Sequence, residues 1–305
     1  MRETSVTIAA LAASAIVATG PAVADGILGS LEGSFGEGGF EDRYVPPVTM
    51  PTLNESPFIT TEARPIYIYH KIPNDFLTGG GSVHAYALQA RMALTDRLAF
   101  IATTDGYADL NFDAGLPNTN GFLDITAGLK YAVISDPAAG EIVTLGARYT
   151  APTGNVDIES AGIGLTGEGN GFVDLFVSGA KTYDDFQLQG SIGAQIGLAE
   201  ESWSYVHAHG HANIELFENF FPLFEANMIL PFDGGDRIAG STLTGTDVFD
   251  FGASDPDMVF TVGIGARYRV LDNVIFGTAV SNNIIDTENT GVHGMRVTTD
   301  LTLHF

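Results

Sequence analysis

The chain has no cysteine among its 305 residues. That one absence excludes disulfide scaffolds, thiolate catalysis and cysteine-based zinc sites together. Basic residues are scarce as well, with 13 Lys+Arg against 37 Asp+Glu and a formal net charge of −24. Phosphate recognition needs a basic face, so nucleic acid is not an expected partner. Past Ala24 no apolar run approaches the roughly 18 residues that a spanning helix requires. This leaves a membrane strand open. What the chain does have is apolar mass: 45% hydrophobic residues, with 20 Phe and 10 Tyr, a content that disordered polyanions lack.

Three zones succeed one another. Residues 1–24 read as a secretory signal peptide, with an apolar stretch from Val6 to Ala18 and the small-residue cleavage site Ala22-Val23-Ala24 before Asp25. Residues 25–62 are Gly-rich and acidic, then Pro-rich (Pro46, Pro47, Pro51, Pro57), without a period that buries a face. They are expected to form an arm, a tether or a plug on the periplasmic side. From residue 63 to 305, short segments of period-2 alternation recur, each bounded by Gly, Asp, Asn or Pro, which is the signature of strands.

Twelve strands are predicted, near 64–72, 82–94, 97–105, 121–133, 141–151, 171–182, 186–198, 204–216, 221–230, 258–270, 273–283 and 294–305. Their connections alternate in length. Short ones fall at 95–97, 135–140, 183–185, 217–220 and 272–273, and mostly longer ones at 106–120, 152–170, 231–257 and 284–293. Short periplasmic turns, long external loops and an even strand number are the layout of an all-β, up-and-down transmembrane barrel of the bacterial outer membrane. Closure is required because hydrocarbon offers no partner to an unpaired strand edge. Aromatics near segment ends (Tyr131, Tyr149, Phe172, Tyr183, Phe186, Trp203, Tyr205, Phe305) are expected at the two lipid interfaces. The terminal Phe305, on an alternating strand, resembles the signal that such barrels present to the barrel-assembly machinery.

If the apolar parity faces lipid, the other parity lists the lumen. It supplies Arg91, Lys130, Arg148, Arg267, Arg269 and Arg296 as cations, and Asp124, Asp174, Glu215, Glu225 and Asp300 as anions. Two readings of this wall stay open: a solute path whose selectivity these charges set, or a closed barrel filled by pairs across the lumen. The alternation His207, His209, His211 spaces side chains about 7 Å apart on one strand face. A neighbouring pair suits Zn²⁺ or Cu²⁺; a plain polar stripe is the simpler expectation, and no metal or other cofactor is predicted. Asp233, Asp236, Asp247, Asp250, Asp255 and Asp257 gather with Arg237 in the longest loop and match no calcium-loop spacing, so they read as solvated acidic surface. Ser202 and Ser204 near His207 are the candidates for a lipid-acting barrel enzyme, although no nucleophile elbow is present.

The segments Gly121 to Tyr131 (GFLDITAGLKY), Gly146 to Gly154 (GARYTAPTG) and Gly167 to Lys181 (GEGNGFVDLFVSGAK) resemble a transporter-like family of outer-membrane barrels labelled as phenol-degradation (MetA-pathway) proteins. The resemblance spans residues 95 to 305 as a succession of short motifs. It implies a barrel that passes or binds small organic solutes and transfers no binding residue. The expected function is thus a porin-like outer-membrane channel or transporter for passive diffusion of small solutes, not an enzyme, with outer-membrane lipid and lipopolysaccharide as its surroundings. A closed structural or adhesive barrel is the alternative.

Overall fold

The computed structural model describes residues 40, 44–238, 240–285 and 291–305. The expected signal peptide and the first part of the arm lie outside the described residues. Among the described residues there are sixteen strands: β1 (Glu62–Ile72), β2 (Gly81–Ala93), β3 (Leu98–Thr104), β4 (Gly106–Phe112), β5 (Thr119–Phe122), β6 (Ile125–Asp136), β7 (Glu141–Ala151), β8 (Asp157–Ile158), β9 (Ile163–Gly164), β10 (Phe172–Tyr183), β11 (Phe186–Gly197), β12 (Ser204–Ile214), β13 (Phe220–Asp233), β14 (Val259–Leu271), β15 (Val274–Asn283) and β16 (Arg296–His304). All but β8 and β9 belong to one antiparallel sheet, which closes because β1 pairs with both β2 and β16. The closed wall has twelve staves, since β4 continues β3 past Asp105, and β6 continues β5 past Leu123 and Asp124. The expected connection over 106–120 is therefore mostly strand. β4 and β5 extend their staves outward by their own pairing, Tyr107 opposite Phe122.

The staves alternate as a lipid-facing wall must. Leu129, Leu145, Leu175, Ile192, Phe224, Ile264 and Val280 are exposed on the outside, while the residues between them turn inward. In β12 the inward set is His207, His209, His211 and Asn213, all buried. Most spanning strands have 9 to 14 residues, enough at a tilt to cross a hydrocarbon layer. Among the described residues no α-helix occurs, and none is long and apolar enough to span a membrane.

Two local departures from strict alternation have plain causes. Leu123 sits in the break between β5 and β6 and is buried, not lipid-facing, because it packs with Leu165 and Phe249 at the long-loop end. Between Ala132 and Ile134 the register slips, so Ala132 is buried while Val133 and Ile134 both face outward. A bulge of this kind resets the parity of the strand beyond it.

The C-terminus lies at the short-turn end, where the Phe305 N–H donates to the Thr61 carbonyl at 3.2 Å, and the first described residues, Phe40 and Tyr44, pack there with Ala93 and Ala99. From there residues 44–61 fold back into the barrel interior and return to β1. Their side chains are buried almost throughout. The turn at the tip is closed by the Asn54 N–H on the Met50 carbonyl at 2.9 Å. At the opposite end, the 234–258 connection packs Phe249 and Phe251 with Val156, Leu165, Leu110 and Val292, across the mouth.

Candidate functional site

The interior is polar where strands cross, and its main partner is the arm. Proline matters here: Pro46 and Pro47 have no N–H to satisfy, but their carbonyls need donors once buried. Arg267 supplies them, with Nη2 2.9 Å from the Pro47 oxygen, and its Nη1 and Nη2 also reach Asp300 at 2.7 and 3.0 Å. Arg64, from β1, closes the group on the same Pro47 carbonyl and the same Asp300. The Val48 and Thr49 N–H groups both donate to Glu225 at 2.7 Å. Farther along, Arg148 Nη1 and Nη2 bind the Thr52 and Leu53 carbonyls at 2.7 and 3.1 Å, Gln89 binds Pro51, and Thr144 binds Pro57.

Residues 44–61 carry one carboxylate, and the wall holds it with charge. Glu55 receives Arg91 Nε at 2.8 Å and Nη2 at 2.7 Å, a two-pronged contact, and Lys130 Nζ at 2.7 Å. Arg91 Nη1 turns to Glu62 at 2.9 Å. The other Lys130 contact, the Ser56 carbonyl, also comes from the arm. At the tip, Met50 and Leu53 enter an apolar socket of Phe172, Trp203, Tyr205, Ile229 and Val259. Phe172, Trp203 and Tyr205 are therefore inside the barrel and not at the lipid interface; Tyr149, Tyr183 and Phe305 are exposed at strand ends.

The external loop meets the tip directly. Asp247 Oδ2 accepts from Thr52 Oγ1 at 2.7 Å, and Asp247 Oδ1 lies 2.6 Å from Arg296 Nη2. Neither this carboxylate nor Asp250, paired with Arg237 at 3.1 Å, belongs to a solvated surface. Burial pushes the Asp250 carboxyl up to about 6 despite the Arg237 charge. Asp247 is also penalised by burial, but Arg296 and its hydrogen bonds hold it below the usual carboxylate range. Burial, then the Arg296 charge, holds His293 neutral far below its ordinary range. A cavity of about 70 Å³ remains between tip, wall and loop, lined by Arg148, Gln195, Tyr205 and Phe249 among others. It has room for a few waters.

The other residues singled out in the sequence take more varied places. Asp174 bridges Arg148 and His207, at 2.7 and 2.9 Å. Of the histidines, His207 is bonded to His209 at 3.0 Å and His209 to Asn227 at 2.9 Å, while His211 is held separately by Glu225 at 2.8 Å. Among the described residues no cluster of three metal-ligating side chains is found. Arg269 is half-buried at the short-turn end, over the Phe221 ring. Asp124 caps the rim, accepting from the Gly154 and Gly167 N–H groups, and Glu215 accepts from Asn219 in a short turn, so neither lines the crossing part of the lumen. Ser204 Oγ accepts from Gly197 N–H, and neither Ser202 nor Ser204 is hydrogen-bonded to His207.

Sequence parity missed Arg64, His70, Glu62, Glu55 and Asp247. On β1 the inward face carries Ile66 and Ile68 and the outward face Tyr67 and Tyr69, so hydrophobicity does not distinguish them. Glu55 and Asp247 lie on non-strand segments with no period to read.

The closed twelve-stave barrel is the fold of solved outer-membrane β-barrels. An outer membrane channel from Pseudomonas putida F1 aligns with a TM-score of 0.54 at 16% identity, over 86% of this chain and 100% of that one. The NanC porin aligns with a TM-score of 0.50 at 6% identity, over 81% and 100%. At these identities the likeness is one of fold. No protein-family model matches the chain and no curated protein matches it, so the phenol-degradation resemblance rests on its short motifs alone.

Proposed function

We propose that this chain is a bacterial outer-membrane channel for small solutes, held closed in this conformation by its own N-terminal arm. The observation that supports it most is the nature of the arm's contacts. A barrel filled only for stability is served best by apolar side chains, since a buried ion pair is weak evidence of stability. Beside the apolar seats of Met50, Leu53 and Phe58, the arm is gripped along its length through exchangeable polar contacts, Arg267 on Pro47, Arg148 on Thr52 and Leu53, Glu225 on Thr49. Water and solute can replace every one of them.

Charge gives the open state a sign. Six buried cations line the wall, Arg64, Arg91, Lys130, Arg148, Arg267 and Arg296. Against them stand Glu62, Asp174, Glu225 and Asp300 on the wall, Glu55 on the arm and Asp247 on the external loop. Withdrawal of arm and loop removes two of the six negative charges, leaving 6 − 4 = +2 on the wall. The open lumen then favours anions.

The test is planar-bilayer conductance of the refolded chain and of a variant lacking residues 26–60. The deletion is expected to give steady, anion-preferring current where the full chain is mostly silent. A folded, heat-modifiable deletion variant without current would favour the closed structural barrel instead. The porin-like similarity of fold is consistent with the channel reading, and the two rim serines offer no hydroxyl–imidazole pair for an enzyme.

A further inference from the structure

We infer that Arg91 and Lys130 form a carboxylate-binding site for the permeating solute, and that Glu55 occupies it as an internal stand-in. This rests on the arm being displaceable, as proposed above. The site is built and desolvated: Arg91, Lys130 and Glu55 are all buried. Arg91 offers Glu55 the Nε and Nη2 edge, the planar fork that matches a carboxylate with two parallel bonds. Lys130 adds a third charge-assisted donor to Oε1, at 2.7 Å.

The partners left on the wall point to a ligand. Arg91 keeps Glu62 on Nη1 and has Gln89 Oε1 3.4 Å from Nη1 and Nη2, all on the wall. Lys130 keeps only the more distant charge of Glu62 on the wall, because both of its hydrogen-bond partners, Glu55 and the Ser56 carbonyl, belong to the arm. When the arm leaves, two cations and one carboxylate remain, a local charge of +1. One solute carboxylate restores neutrality and supplies the same two oxygens at the same donors. Uncharged solutes of equal size cannot do this. The substrate class is therefore small organic carboxylates, and solute and arm compete for one place.

The experiment uses the full chain carrying Glu55→Gln, which weakens the stand-in and leaves both cations in place. Chloride current through single channels is recorded with added succinate or, as the uncharged control, succinamide. Glu55→Gln is expected to raise open probability. Succinate, and not succinamide, is expected to inhibit the current saturably. Lys130→Gln in the same background should raise the half-inhibiting succinate concentration about tenfold or more, and Lys130→Arg should restore it. Silence of a correctly folded Glu55→Gln channel would overturn the displaceable arm itself. An open channel in which the two solutes act alike, or in which Lys130→Gln leaves the succinate response unchanged, would overturn the carboxylate site and leave the gate standing.

Discussion

Single residues in this barrel are fixed by the partner that each lacks elsewhere. Asp300 is the clearest case, because its two oxygens are shared by Arg64 and Arg267, and both guanidinium groups are buried with it. Asp300→Asn leaves two cations on a neutral group and is expected to cost about 3–5 kcal/mol, the range for breaking one side of a buried pair. A guanidinium unfolding series that shows a change under about 1 kcal/mol would contradict that arrangement. Gly146 is a second case, of space instead of charge. A Cβ there would fall on the Phe176 ring, which Arg148 in turn overlies at 5.0 Å from the ring centre. Gly146→Ala is expected to destabilise by roughly 1–3 kcal/mol through overpacking, read as a lower heat-modification temperature. The sequence shows Asp300 and the arginines as inward by parity, but not which of them meet, because pairing depends on stave order and on an arm with no period. Gly146 gives no signal at all, since its constraint is a ring on the neighbouring stave, distant in sequence.

Elements carry the next set of expectations, above all the external loop. The folded loop keeps His293 neutral, so its contribution is complete above pH 6.5 and drains as pH falls below that unfolded value. Asp250 works in the opposite sense. With its carboxyl raised to about 6, the fold favours the protonated form, so stability is present at low pH and is lost as pH rises from about 4 to 6. The two slopes oppose each other across this window. Asp250→Asn removes one slope, and hydrogen exchange across residues 244–252 should then accelerate on acidification from about pH 6.5 to 4.5. Faster exchange at the alkaline end in that variant would contradict the assignment. Strand positions and loop lengths were largely legible in advance, because lipid on one side and polar lumen on the other enforce period 2. The 106–120 connection was not, since β4 turns an apolar face (Ala108, Leu110) inward and a polar one (Asp109, Asn111) outward, the reverse of the staves that face lipid. Trp203 and Tyr205 misled for a related reason: an aromatic at a strand end suits an interface or a socket equally well, and only the arm tip decides.

At the scale of the whole molecule, the barrel is a tube whose polar wall is satisfied by a segment of the same chain that enters at its short-turn end. Sequence composition announced an arm but could not place it, as its contacts are largely main-chain carbonyls that any sequence possesses. The central claim is that the arm is the gate, and the absence of native cysteine gives it a clean test. Asn54 on the arm and Ser191 on β11 touch through their side chains, Ser191 Oγ donating to Asn54 Oδ1 at 3.2 Å, so cysteines introduced at these positions are neighbours and a disulfide between them would be the molecule's sole one. The measurement is single-channel conductance of Asn54→Cys/Ser191→Cys before and after dithiothreitol. Silence while oxidised, with channels opening on reduction, is the predicted result; equal conductance in the two states, with the disulfide verified by mass, would contradict it.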